Sequence, residues 1–359
     1  MYKILLRVIY ILINLTIIIH ISTAYWWHLG TYSIQNNGLI DTTKSTQSFK
    51  DICQNSTNLS YEQIEICLRS QRILSALSQA AKIGKEECQI QFRNNRWNCS
   101  TFYNTSSIYG NVINIKSRET AYVYAINAAA LAWSITRACS KGELTECSCD
   151  NNIRRKQRKW QWGGCSEDIN YGVIFSKKFT DSQESHNSSE GLMNLHNNEA
   201  GRRALKVKMQ RICKCHGMSG SCSLRVCWRR LSSMRAVGEA LGNLYDGASL
   251  VKVVERDGKP SKLRRRDPLM KKLVKSDLVF LEESPDYCEP NPKLNILGTK
   301  GRFCNRTSPG IDGCRLLCCG RGYQTRLRQV QEKCKCKFVW CCSVKCAMCN
   351  YKREEHICN

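Results

Sequence analysis

Beyond its first nineteen residues the 359-residue sequence has no apolar run long enough to cross a bilayer, which excludes a multi-span membrane protein. Acidic residues are scarce: 30 Asp and Glu stand against 55 Lys and Arg, a formal charge of +25. That imbalance points to a polyanionic partner and says nothing of the fold. The low hydrophobicity of disordered chains is also missing, since 42% of residues are hydrophobic and 24% charged. The motif G-x-S-x-G is not met in the serine-rich stretch Gly217 to Ser221, where Ser221 stands in place of the last Gly. His216 lies too close in that loop to act as a triad base, and His28, His186, His196 and His356 fall at no metal or triad spacing. An enzyme is therefore not expected.

Cysteine, by contrast, is in excess: 24 residues, an even number. A reducing cytosol would keep such thiols apart, so the count reads as the disulfide framework of an exported chain. The start of the chain agrees. Met1-Tyr2-Lys3, an apolar run to Ile19 broken by Arg7 and Asn14, and then Ser22-Thr23-Ala24 predict a secretory signal peptide over 1–24, with the mature chain starting near Tyr25.

The cysteines divide the chain. Twelve lie between Cys53 and Cys227, none from Trp228 to Tyr287, and twelve between Cys288 and Cys358. Twelve in that last stretch is about 17%, above the roughly 8–10% that marks a disulfide scaffold. The front part, 25–245, predicts an α-rich domain with helices over Leu68–Phe92, Arg118–Cys139, Asn194–Cys213 and Leu231–Tyr245, because apolar or small residues recur there at three and four spacing. Residues 246–287 read as a basic linker, and 288–359 as a cysteine-rich domain of β-hairpins. The fold class is thus α+β.

Two basic runs, Lys252 to Lys275 and Arg154 to Lys159, would meet sulfated glycosaminoglycan outside the cell, not nucleic acid; a solvated charged face without a partner is the bland alternative. N-glycosylation sequons stand at Asn55, Asn58, Asn98, Asn104, Asn187 and Asn305, Asn98 being the weakest because Cys99 is its middle residue. The pairs Cys334/Cys336 and Cys346/Cys349 do not make a zinc site, because a secreted chain offers neither the spacing nor reduced thiolates; no metal is expected.

The segment richest in chemistry is CKCHGMSGSCSLRVCW, residues 213–228. A nested pairing, Cys215 to Cys222 and Cys213 to Cys227, would lock a tight hairpin whose tip, Met218, Ser219, Gly220 and Ser221, is small and open to a modifying enzyme. In the tail, Phe338, Val339 and Trp340 precede Cys341 and Cys342; the aromatics belong either to the core of their own small domain or to an exposed anchor. Strand alternation would set Phe338 and Trp340 on one face.

The hairpin segment resembles the signature of the Wnt family of secreted signalling ligands. The same resemblance runs through ECQIQFRNNRWNC (87–99), WQWGGCSEDINYG (160–172), MNLHNNEAGRRAL (193–205), LGTKGRFCNRTSPGIDGCRLLCCGRGY (297–323) and CKCKFVWCCSVKCAMC (334–349). The resemblance implies a two-domain, hand-like fold: a helical N-terminal domain carrying a lipidated hairpin, the thumb, over 213–227, and a cystine-rich C-terminal domain carrying a finger. It places a monounsaturated fatty acyl chain on Ser221, not Ser219, attached in the endoplasmic reticulum by the acyltransferase Porcupine, with Wntless as carrier. It implies binding to the cysteine-rich domain of Frizzled receptors through the thumb and through Phe338, Val339 and Trp340, with a low-density-lipoprotein-receptor-related co-receptor. Heparan sulfate proteoglycans and the extracellular matrix fit the basic runs. No further cofactor is implied. The alternative from another class is a lipid-independent, heparin-binding matrix or growth-factor-like protein, and Ser221 is what separates the two.

Overall fold

A computed structural model describes residues 25–35, 38–40, 48–57, 59–102, 108–150, 153, 160–256 and 259–359. The expected signal peptide 1–24, Asn58, Asn104 and the basic run Arg154 to Lys159 lie outside the described residues. Two compact units emerge, one of the residues up to Gly84 with Lys116–Glu282, the other of Lys85–Ile115 with Glu283–Asn359. Among the described residues no helix is long and apolar enough to cross a membrane.

The first unit opens with a 3-10 turn, Trp26–Thr31, followed by the strands β1 (Ser33–Gln35) and β2 (Gly38–Ile40). Helices α1 (Phe49–Gln54), α2 (Tyr61–Leu68) and α3 (Gln71–Gln91, whose C-terminal end belongs to the second unit) come next, then α4 (Arg118–Ser140). Ser48 and Ser60 start α1 and α2 with reciprocal capping boxes to Asp51 and Gln63, which satisfies backbone donors that a helix start leaves open. The two-residue β3 (Gln161–Trp162) precedes α5 (Ile169–Thr180) and α6 (Ser189–Val207). Strands β4 (Gln210–His216) and β5 (Leu224–Arg230), helix α7 (Met234–Asp246) and strands β6 (Ser249–Arg256), β7 (Lys259–Arg265) and β8 (Val279–Phe280) complete the unit.

Helix α4 is the centre of this unit because its small residues let neighbours come close. Ala121, Ala125, Ala128, Ala129 and Ala132 are all buried. A Cβ on Gly201 of α6 would stand 1.9 Å from the Ala125 carbonyl oxygen, and one on Gly172 of α5 would stand 2.0 Å from Thr136 Oγ1. Both contacts are possible only for glycine. Asp181, just past α5, accepts two hydrogen bonds from the buried Arg202 of α6, at 2.9 and 3.0 Å, and a third from Asn198 at 3.1 Å.

The rest of α6 is as fully used. Asn197 pairs with both backbone groups of Val279, each at 2.9 Å, as a strand neighbour would. The His196 Nε2 lies 3.0 Å from the Asp277 carbonyl oxygen, and burial holds its pKa below the usual histidine range. Desolvation lifts the Glu184 carboxyl to about 7, against the Asn194 hydrogen bond that pulls it down.

Two sequence expectations need correction here. The helix expected over Asn194–Cys213 stops at Val207, and Gln210–His216 is a strand. A helical Cys213 could not sit opposite Cys227 in an antiparallel ladder, and the tertiary pairing overrides the local periodicity. The helix Ile169–Thr180 was not foreseen. The stretch read as a basic connector contains the antiparallel pair β6–β7 and β8, which lies parallel to β6. Val251 and Val279 bury there against Met193, each such side chain contributing about 1.5–3 kcal/mol.

The second unit is held by cystines. Strand β9 (Phe303–Cys304), the one-turn helix α8 (Cys314–Leu317) and the long hairpin of β10 (Tyr323–Val339) and β11 (Ser343–Cys358) form a sheet in the order β10-β11-β9, with α8 beside it. Cys314, Leu317, Cys318 and Cys358 make a small core. Five disulfides lie in this tail, Cys288–Cys319, Cys304–Cys314, Cys318–Cys358, Cys334–Cys349 and Cys336–Cys346. The expectation of cystine-tied hairpins holds.

Candidate functional site: two cystine-locked tips

Each unit carries a hairpin whose tip is tied by two cystines. In the first, β4 and β5 pair from Gln210↔Arg230 to His216↔Leu224, with Cys213 directly opposite Cys227. Disulfides join Cys213 to Cys227 and Cys215 to Cys222. Every residue from Cys213 to Arg225 is exposed. The tip therefore has no core of its own, and the two cystines carry its shape.

Beyond the inner cystine Met218–Gly220 make a single 3-10 turn, Ser219 and Gly220 taking positive φ of 55° and 77°. The Ser221 backbone N–H donates to the Met218 carbonyl at 3.1 Å. Gly217 is there for space: a Cβ on it would meet Ser221 Oγ at 2.3 Å and Ser223 Oγ at 2.4 Å. Met218 is 90% exposed. The Ser221 hydroxyl has no hydrogen-bond partner among the described residues. It is an accessible hydroxyl on an exposed turn.

The root of this hairpin is fixed by a segment whose role sequence reasoning missed. Gln161 and Trp162 pair in parallel with Val226 and Cys227, and the Gly163 N–H donates to the Cys227 carbonyl at 3.0 Å. The Arg211 guanidinium lies 4.2 Å from the centre of the Trp160 ring, a cation–π contact. The buried Glu167 carboxylate accepts from Arg137 at 2.5 Å and from the Leu231 backbone N–H where β5 ends. Nothing local in WQWGGCSE announces this, because its partners lie far off in the chain, from Arg137, 30 residues before Glu167, to Leu231, 64 residues after it.

The tip of the second unit is the turn Trp340–Cys341–Cys342 between β10 and β11, with Cys334–Cys349 and Cys336–Cys346 tying its stem. Trp340 is 92% exposed, Phe338 68% and Val339 39%. The domain-core reading of the aromatics therefore fails: this hairpin is one layer thick and has nothing to bury them against. Alternation does not reach Trp340, because β10 ends at Val339; Phe338 instead faces Val344 across the ladder. Cys341 and Cys342 are free thiols with Sγ atoms 3.5 Å apart.

The other predicted residues are placed as follows. Asn55, Asn187 and Asn305 are exposed, whereas Asn98 is half-buried and its Oδ1 accepts from the Ser100 N–H at 3.3 Å. Asn305 Oδ1 receives the Thr307 N–H at 3.1 Å and the Thr307 hydroxyl at 3.0 Å. On β6 and β7, Lys252 and Arg264 are exposed and directly opposite each other, with Lys262 and Arg266 exposed nearby. Like charges facing across a ladder repel, so this strand pair carries a concentrated positive charge. The sulfurs of Cys304, Cys318 and Cys358 come within 4.8 Å of one another, but all three are in disulfides and offer no thiolate to a metal.

A model described as the wnt family matches residues 55–359. The chain is 42% identical over 348 residues to Protein Wnt-5a of Homo sapiens, covering 94% of this chain and 89% of that one. It is also 42% identical over 314 residues to Protein Wnt-16 of Mus musculus, covering 84% and 86%. Among solved structures, the human WLS complex with WNT8A aligns with a TM-score of 0.58 at 35% identity, over 82% of this chain and 98% of that one.

Proposed function

The chain belongs to the Wnt family of signalling ligands, and from that premise we propose that it is secreted through the endoplasmic reticulum, acylated on Ser221, and recognised by the cysteine-rich domain of a Frizzled receptor. The observation that carries this reading is the hairpin tip, where Ser221 stands exposed and unpartnered inside the loop closed by Cys215–Cys222, with Cys213–Cys227 nested below it. A monounsaturated acyl chain there gives a stiff protein stem a greasy end. Each methylene buried in a receptor groove contributes ~0.8 kcal/mol, so roughly ten offer ~8 kcal/mol gross, less the ordering cost. A preorganised stem keeps that cost low.

Porcupine is the enzyme class that such a serine requires, and a carrier must then shield the chain from water. The WNT8A structure was solved with WLS, and the likeness to it supports Wntless as that carrier. The second receptor contact is the Phe338, Val339 and Trp340 tip, with a low-density-lipoprotein-receptor-related protein as co-receptor. The cationic face of Lys252, Lys262 and Arg264 supports retention on heparan sulfate in the extracellular matrix.

The direct test is mass spectrometry of the secreted protein's Ser221 peptide after labelling cells with an alkyne-tagged unsaturated fatty acid. An ester-linked, hydroxylamine-sensitive adduct on Ser221 is expected. Unmodified Ser221 in exported protein would hand the function to the lipid-independent, heparin-binding alternative.

For the second tip, Trp340→Ala in acylated protein is expected to weaken receptor binding by roughly 2 kcal/mol or more, as truncating a large exposed aromatic anchor does. Stability should not change, because Trp340 buries almost nothing within its own unit. A dissociation constant equal to wild type, measured on the same receptor domain, would remove Trp340 from the interface.

A further inference from the structure

In the first unit a cavity of about 200 Å³ opens beside the start of α6, where Glu184, Glu190, Asn194, Ser188, Tyr25 and Tyr124 line it. With Gln183 and Ser185, which also line it, the side chains around it carry two carboxylates, two phenols, two hydroxyls and two amides. Asn194 gives the cavity its meaning. It is 1% exposed, its Nδ2 donates to Glu184 Oε2 at 2.9 Å, and its Oδ1 is buried without a hydrogen-bond partner. Turning the amide over does not cure this, because the carbonyl oxygen would then face a carboxylate. A buried acceptor left unmatched costs about 1–3 kcal/mol, and a buried carboxylate calls for a counter-charge.

The local charges decide what fits. Lys116 Nζ lies 4.0 Å from Glu190 and 3.3 Å from Glu282, so its charge is shared and Glu184 is left to itself. The helix end contributes about half a positive charge, a cost of about 0.3–1 kcal/mol to a cation there, which the Glu190 carboxylate and an ionised Glu184 outweigh. Oxygen donors including carboxylates, with no sulfur and no imidazole, select a hard cation over a soft one. We propose that this cavity binds a hydrated divalent cation of the calcium type, held by the carboxylates of Glu184 and Glu190 and the Oδ1 of Asn194, with water completing its shell. The ion would couple the entry of α6 to the aromatic plug at the start of the described chain, where Trp27 packs on both Tyr25 and Tyr124. Two carboxylates place the affinity in the range of extracellular modules, roughly 10⁻⁴–10⁻³ M. The site is independent of acylation at Ser221.

Terbium titrated into the purified full-length protein tests this, since Tyr25 and Tyr124 beside the ion would sensitise its emission. Saturable emission displaced by calcium is expected, with apparent affinity at least tenfold weaker in Glu184→Gln and in Glu190→Gln. Calcium should also raise the melting temperature of the wild type and not that of Glu184→Gln. Glu190 is the more accessible of the two, so E190Q keeps the test open if E184Q folds poorly. Absence of sensitised emission, or emission that both variants retain unchanged, would overturn the site, the second result placing the ion on surface carboxylates.

Discussion

Ser221→Ala is expected to give a chain that is synthesised and folded but scarcely exported, with receptor signalling lost to background. The reasoning is local. Ser221 Oγ makes no hydrogen bond among the described residues and the whole tip is exposed, so removing one oxygen costs the fold almost nothing. The Gly217 contact even gains a little room. What is lost, on the proposed acylation, is the attachment atom for the acyl chain, and with it ~8 kcal/mol of gross burial, a change of several orders of magnitude in affinity. The measurements are the ratio of medium to cell-associated protein and a reporter of receptor activation. Normal export with normal signalling would sink the lipid reading. Ser219→Ala is the internal control for export: Ser219 lies two residues away on the same turn, with φ of 55°, and its loss should leave the ratio of medium to cell-associated protein near wild type.

Arg202→Met is expected to destabilise the protein by about 3–5 kcal/mol, a large share of the 5–15 kcal/mol by which a domain is stable. Arg202 is buried and holds Asp181 through two parallel hydrogen bonds, with Thr180 at 3.2 Å and Glu199 at 3.3 Å as further partners. Removing the cation leaves the Asp181 carboxylate among groups chosen to face a guanidinium. Replacing both partners, as Asp181→Leu with Arg202→Met, removes the stranded charge and should cost much less than the sum of the single changes. Denaturant midpoints of the secreted variants read this, or retention in the cell if the single variant does not leave it. A loss under about 1 kcal/mol in Arg202→Met would mean that Asp181 is solvated and the pair does not hold α5 to α6.

Much of the architecture was legible. The small-residue face of 118–139 predicted a close-packed helix, and α4 spans Arg118–Ser140 with that face buried. The density of cysteine in the tail predicted cystine-tied hairpins, because so small a stretch has too little apolar surface to fold without them. Where the reading went astray, a distant partner was responsible. The stretch from Gln210 carries a helical period but is drawn into a ladder by β5 and by Cys227, and the basic stretch after Tyr245 looks like a connector until Val251 and Val279 find Met193.

The sequence by itself determined that this is a cystine-rich α+β chain of the Wnt pattern, and it singled out Ser221 among the hydroxyls of the 213–228 segment. Composition, spacing and the order of motifs are one-dimensional quantities, and they suffice for such statements. Only the tertiary structure decided that Trp340 and Phe338 are exposed and not core, that Trp160 to Glu167 anchors the root of the Ser221 hairpin, and that Asn194 keeps an unmatched oxygen beside Glu184 and Glu190. Exposure, anchoring and an unmet hydrogen bond depend on what stands across a few ångströms of space, and residues far apart in the chain supply it.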